Sequence, residues 1–154
     1  MTEKKCLIEI DNVGKTFADG TNALVSVSLK IFDGDFIVIA GSNGSGKSIL
    51  MSIIADIEPS TSGKVINNDA RVGLVFQNAD SQILGETPFE DVAFGVRNIG
   101  LRKEKLRNCV ENALEKCGLT DKKNASARFL SGGEKRRLAV AGVLALDCNV
   151  IIFV

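Results

Sequence analysis

Histidine, tryptophan and tyrosine are absent from this sequence, and proline occurs only twice. Without histidine there is no Ser-His or Cys-His nucleophile and no common Cys/His zinc set. The four cysteines, Cys6, Cys109, Cys117 and Cys148, form no C-x-x-C pair. They read as free thiols in a reducing cytoplasm. Net charge is lacking too, because Lys plus Arg and Asp plus Glu number 19 each. That balance does not suggest a general nucleic-acid or anionic-membrane surface. No apolar run approaches the ~18 residues that span a bilayer. The start, MTEKKCLIEI, carries charges but no long apolar core and no cleavage site, so it does not read as a secretory signal.

What is present is a chain of 154 residues, 45% of them hydrophobic, enough for one domain with a real core. Its most informative stretch is GSNGSGKS, Gly41 to Ser48. It fits G-x-x-x-x-G-K-[ST], the phosphate-binding P-loop. Phe36 to Ala40 precedes it as a continuous apolar run, the pattern of a strand buried on both faces of a parallel sheet. Ile49 to Ala55 follows without Gly or Pro and predicts a buried helix. Gly41, Gly44 and Gly46 permit turns that a side chain forbids. The N–H groups of Ser42, Asn43 and Ser45 and their neighbours can then line an anion nest at the positive end of the helix. Lys47 is placed for the β- and γ-phosphates and the Ser48 hydroxyl for Mg²⁺.

Before the P-loop the chain reads as mostly β. Leu7, Ile8, Ile10 and Val13 mark a first strand leading to Phe17, and 18–22 is a turn cluster. Val25, Val27, Leu29 and Ile31 alternate with Ser26, Ser28 and Lys30, a half-buried strand of period two. After the P-loop helix, 59–63 is a loop and Lys64 to Ile66 a short strand. Val72 to Phe76 is a further apolar strand that ends at Gln77. A side chain there lies at the carboxyl edge of the sheet, where open α/β sheets bind ligands. Residues 78–129 lose the strand pattern. Leu106, Cys109, Val110, Ala113, Leu114 and Cys117 recur at helical spacing, and Gly118 is placed to end that helix. Val150 to Val154 reads as a last buried strand.

Leu130-Ser131-Gly132-Gly133-Glu134, followed by Lys135-Arg136-Arg137, opens another helix. Ser131 with Glu134 matches the capping box, S-x-x-E. Two glycines and a hydroxyl at a helix N-terminus equally match an anion site. On residue chemistry alone both readings stand.

The P-loop, the strand ending in Gln77 and LSGGE followed by KRR, in that order, resemble the nucleotide-binding subunits of ABC transporters. The segment from Val75 to Thr87, continuing through Glu90-Asp91-Val92-Ala93-Phe94-Gly95 to Leu101, is similar to the ATPases of energy-coupling-factor (ECF) transporters, a group that includes the cobalt-type ATPases. The resemblance implies an α/β P-loop NTPase: a RecA-like parallel core, an N-terminal antiparallel β subdomain and a helical insertion. It divides the chain into a β-rich P-loop core (1–77), a helical subdomain (78–129) and a signature helix with the start of the Walker B strand (130–154). It implies binding of ATP and Mg²⁺. Phe17 takes the place of the aromatic that stacks on adenine. Gln77 takes the place of the glutamine that touches Mg²⁺ and the attacking water. Ser131, Gly132, Gly133 and Glu134 take the place of the signature that contacts ATP held by a partner subunit's P-loop. The implied partners are a second ATPase subunit, alike or different, a transmembrane coupling protein and a substrate-capture protein, with no nucleic acid. The family takes up vitamins or Ni/Co ions and works at the cytoplasmic face of the membrane.

The sequence departs from the family pattern in places. Ile49 stands where Thr is usual, Ala79 where Pro is frequent, and the connection from Lys64 to Arg71 is short. The larger departure is at the end of the sequence. No Walker B Asp or catalytic Glu comes after Phe153-Val154, and no switch His exists. Asp147 precedes the strand and so lies at its opposite end. The sequence therefore reads as incomplete at its C-terminus, with weak ATP binding, negligible hydrolysis and uncovered apolar surface expected of the isolated chain. Two other readings compete with an energy-coupling ATPase. One is a non-catalytic or degenerate nucleotide-binding partner in a heterodimer. The other is a soluble ABC protein of DNA repair or translation, which the neutral charge and short helical region disfavour.

Overall fold

The structure is a computed structural model that describes residues 4–154. Of the N-terminal stretch weighed as a secretory signal, the first three residues lie outside the described range. The chain forms two compact units, Met1–Val72 and Gly73–Val154. Gln77 therefore groups with the helical segment and not with the P-loop.

The first unit contains β1 (Cys6–Thr16), β2 (Asn22–Phe32), α1 (Lys47–Ile54) and β3 (Ser62–Asn67). The three strands form an antiparallel sheet in the order β2-β1-β3. Central β1 buries Ile8, Ile10 and Val13, stiff branched side chains that suit a pleated surface. In β2 the period-two reading holds for Val27, Leu29 and Ile31, which are half-buried. It fails at Val25, which is exposed, while Leu24 is buried. Ser26 adopts φ 49°, and the β1–β2 register shifts between Val13 and Lys15. This bulge-like break moves the side chains before it to the other face. Side chains bridge the gap: Ser26 donates to Asn12 Oδ1 at 2.9 Å, and the Asn12 N–H donates to Ser28 Oγ at 3.0 Å.

The buried strand expected over Phe36 to Ala40 does not form. The segment joins no sheet, and Phe36 is 92% exposed. A parallel strand needs neighbours on its edges, and neither sheet of the described residues supplies them. The apolar run states what the segment prefers to bury, not what it is paired with. The expected helix after the P-loop does form. Leu50, Ile53 and Ile54 of α1 are buried.

The second unit contains most of β4 (Val72–Val75), then α2 (Pro88–Asn98), α3 (Lys103–Lys116), α4 (Gly132–Ala145) and β5 (Val150–Phe153). β4 and β5 form a parallel pair, extended by the Val154 N–H donating to Val75 O at 3.0 Å. β5 is half-buried, not buried as expected, and Phe153 is exposed. The helices pack on one another around Val92, Val96, Val110, Leu114 and Leu138. Thr87 caps α2 by accepting from the Glu90 N–H at 3.2 Å, with Pro88 in the first turn. α3 ends as its glycine predicts. Gly118 takes φ 64°, its N–H donates to Glu115 O, and the Leu119 N–H donates to Leu114 O, both at 2.9 Å. That pair of bonds is a Schellman motif.

Candidate functional site

The P-loop turns into α1 through Gly46, which takes φ 85°. A Cβ at this position would lie 2.3 Å from Ala23 O, so both the conformation and the space demand glycine. Gly46 is also the N-cap of α1, and no side chain caps the helix. No acidic residue occupies its first turn. The N–H groups there are thus left for an anion, and nothing in that turn repels one. Lys47 folds back over the loop. Its Nζ donates to Gly41 O at 2.9 Å and Ser42 O at 2.7 Å, with Ser45 Oγ at 3.4 Å. Ser42, Asn43, Gly44 and Ser48 are exposed. This is a cradle with one cation at its rim, and it fits a polyphosphate. The exposed Ser48 hydroxyl at the helix start fits a ligand to the cation that accompanies one.

Phe17 belongs to the same unit and sits in the turn after β1. The turn is closed by the Phe17 N–H donating to Thr21 O at 2.9 Å and the Gly20 N–H donating to Phe17 O at 3.0 Å. The ring is 38% exposed, so it is not a core residue. Lys15 Nζ lies 5.4 Å from its centroid.

Gln77 and the LSGGE segment lie in the second unit. Gln77 is exposed just past the carboxyl end of β4. The turn after it is held by side chains. Asn78 Oδ1 accepts from the Asp80 N–H at 3.1 Å, and Ser81 Oγ donates to Asn78 O at 2.7 Å. Gln82 lies alongside β4, with its Oε1 accepting from the Phe76 N–H and its Nε2 donating to Leu74 O, both at 3.0 Å. Asp80 accepts from Lys135 at 2.5 Å, which ties the turn after Gln77 to α4. The structure thus brings Gln77 and the signature helix into one assembly.

At the start of α4 the capping box is realised. The Glu134 N–H donates to Ser131 Oγ at 3.3 Å, and Glu134 Oε2 accepts from the Ser131 N–H at 2.7 Å and the Ser131 hydroxyl at 2.9 Å. Gly132 and Gly133 lie exposed beside it, and Gly132 has nothing within 4 Å of a Cβ position. The two readings of this motif are therefore compatible. The box sets the helix start, and the glycines keep its surface open. For Ser131 to donate to a phosphate, its proton must first turn away from Glu134.

The Ser131 N–H, and then its hydroxyl, hold the Glu134 carboxyl below the usual carboxylate range. A group whose pKa is lowered on folding stabilises the fold above its unfolded pKa, and that contribution is lost as pH falls through the folded value. Glu134→Gln should therefore flatten the acid side of the stability profile. Urea midpoints measured at about pH 6 and about pH 3.5 should differ less in the variant than in the parent chain. Equal differences would show that the box adds nothing pH-dependent.

Lys15, beside Phe17 in the first unit, and Asp80 and Gln82, around the Gln77 turn in the second, receive no role from the sequence. Asp80 and Gln82 fall inside the segment 75–87 that carries the family resemblance, but that pattern assigns them no role. Lys15 carried a misleading pattern, since lysine is seldom buried. Among the described residues no cluster of three or more His, Cys, Asp or Glu could hold a metal ion, and no helix is long and apolar enough to cross a membrane.

A family model described as ABC transporter matches residues 24–153. The chain is 36% identical over 160 residues to the energy-coupling factor transporter ATP-binding protein EcfA of Methanothermobacter thermautotrophicus, covering 95% of this chain and 51% of that protein. It is 39% identical over 165 residues to EcfA2 of Clostridium acetobutylicum, covering 94% of this chain and 58% of that protein. Among solved structures it is similar to cbiO1 from Clostridium perfringens, described as part of the ABC transporter complex cbiONQ. The TM-score is 0.87 and the identity 30%, over 97% of this chain and 65% of that one. The chain spans about half the length of the curated relatives it matches.

Proposed function

The chain belongs to the ABC transporter family, whose ATP-binding domains share the P-loop NTPase fold, and we propose that it is the ATP-binding part of an ECF-type importer ATPase. The observation that carries this reading is one ordered set. A P-loop on an uncapped, acid-free helix start, Gln77 just past the end of β4, and LSGGE at the start of α4 occur in a chain that the family model matches over 24–153.

Each residue then has a role. Gly41 to Ser48 wrap the phosphates with backbone N–H groups, and Lys47 swings from its carbonyl partners onto the terminal phosphates. Phe17 stacks on the adenine. Ser48 and Gln77 face Mg²⁺, which neutralises phosphate charge when bound. Ser131, Gly132, Gly133 and Glu134 form the surface that closes over ATP held by a second subunit, alike or different. The segment 78–101 exposes Leu84, Phe94 and Ile99, apolar side chains that suit a membrane partner's helices. On this reading the chain is peripheral, held at the cytoplasmic face by a transmembrane coupling protein that works with a substrate-capture protein. The cargo is a vitamin or Ni/Co ion.

The reading requires ATP-driven pairing, and light scattering behind size exclusion tests it. ATP with Mg²⁺ should convert monomer to dimer, either of this chain alone or with a co-produced second ATPase. Gly133→Asp places a negative charge where a phosphate is expected and should abolish pairing while ATP binding persists. Absence of ATP-dependent pairing in both mixtures would overturn the proposal. Phosphate release by a mixed dimer carrying one catalytic subunit then distinguishes an energy-coupling subunit from a nucleotide-binding partner that does not itself catalyse.

A further inference from the structure

Lys15 is the buried charged residue of the described chain, 6% exposed at the end of β1. Its Nζ bonds Glu58 and donates to Pro59 O at 2.7 Å. An ammonium has three donors, and these partners use two of them while Glu58 balances its charge. The Nζ lies 5.4 Å from the centroid of the Phe17 ring, within cation–π range. Glu58 and Pro59 come shortly after α1. The Ile57 N–H donates to Ser52 O at 2.9 Å and the Glu58 N–H to the same oxygen at 3.3 Å, folding this tail back on the helix. Lys15 therefore joins the strand end that carries Phe17 to the tail of the P-loop helix.

Burying a lysine costs desolvation, and a methionine would fill the same space without it. The cation adds an orientation. A phenylalanine ring has no hydroxyl with which to fix itself, and Phe17 is partly exposed. An ammonium near the ring holds it and draws π-density toward itself, leaving an electron-poor surface for an electron-rich purine.

Resting on the adenine-platform role of Phe17, we propose that Lys15 is a positioning residue for the nucleobase. It orients Phe17 and fixes that platform relative to the phosphate-binding helix through Glu58 and Pro59.

Titration calorimetry of the full chain with ATP and with inorganic tripolyphosphate, which has no base, tests this. Lys15→Met should weaken ATP about 3- to 10-fold and leave tripolyphosphate unchanged. Lys15→Arg should restore most of the ATP affinity. A purely structural lysine would lower both ligands together, and that result overturns the proposal. Phe17→Ala separates the two layers of inference. If it leaves the ATP-to-tripolyphosphate ratio unchanged, the platform role fails and the proposal with it. If it lowers the ratio while Lys15→Met does not, only the Lys15 proposal fails. In the Phe17→Ala background, Lys15→Met should add nothing. Should Lys15→Met not fold, Glu58→Gln at the partly exposed end of the tether gives the answer. Selective loss of ATP supports the proposal, and equal loss of both ligands overturns it.

Discussion

Replacing Lys47 by Ala should lower the affinity of the chain for ATP by about 30- to 1,000-fold, with little change in melting temperature. The two halves of this expectation have different causes. In the free chain Lys47 Nζ donates to the carbonyls of Gly41 and Ser42, at 2.9 and 2.7 Å. Both residues are exposed, so water replaces the ammonium when it is removed. The stability cost is then that of an exposed hydrogen bond, about 1 kcal/mol or less. On a triphosphate the same ammonium faces charge instead of dipoles. Removing one partner from such a charge-assisted contact costs about 2–4 kcal/mol, which gives the stated range. Fluorescence titration with a labelled ATP measures the affinity, and thermal melts control for folding. Unchanged affinity would mean that the carbonyl-bound Lys47 never engages nucleotide, and the reading of Gly41 to Ser48 would fall with it.

Local chemistry was legible in the sequence wherever a feature is decided by its immediate neighbours. The P-loop turn at Gly46, the capping box of Ser131 and Glu134 and the glycine stop at Gly118 all formed where their spacing placed them. So did the amphipathic helix between Arg102 and Cys117. Features decided by distant segments were less legible. Phe36 to Ala40 has the composition of a buried strand, but a strand is made by its neighbours, and composition does not name them. Val25 was misread because Ser26 enters the left-handed region, a choice settled by Asn12 across the sheet. Lys15 is buried because Glu58 and Pro59 meet it from more than 40 positions away in sequence. The candidate site residues show the same split. Gly41 to Ser48 are contiguous, so their spacing alone marks them as candidates. Lys15 beside Phe17 in the first unit, and Asp80 and Gln82 around the Gln77 turn in the second, come together with their partners only in the fold.

Replacing Gly46 by Val should abolish ATP binding and lower the melting temperature together, where Lys47→Ala lowers affinity alone. Gly46 takes φ 85°, a region that a branched side chain enters only with strain of about 1–3 kcal/mol. A Cβ there would also lie 2.3 Å from Ala23 O and 2.8 Å from Leu24 Cδ2. The Ala23 carbonyl is backbone and cannot turn aside, so either β2 shifts or the loop leaves its left-handed conformation. Both moves displace the start of α1, where the uncapped N–H groups are held for phosphate. Leu24 is buried, so the strain also reaches the core of the first unit. Gly44→Ala provides the contrast. Gly44 takes φ 82° but has nothing within 4 Å of a Cβ position, so it carries only the conformational cost, about 1–2 kcal/mol. Thermal melts and fluorescence titration with a labelled ATP measure both effects. A Gly46→Val chain that melts and binds as the parent does would mean that the loop does not need this turn, and the reading of its N–H groups as an anion nest would be wrong.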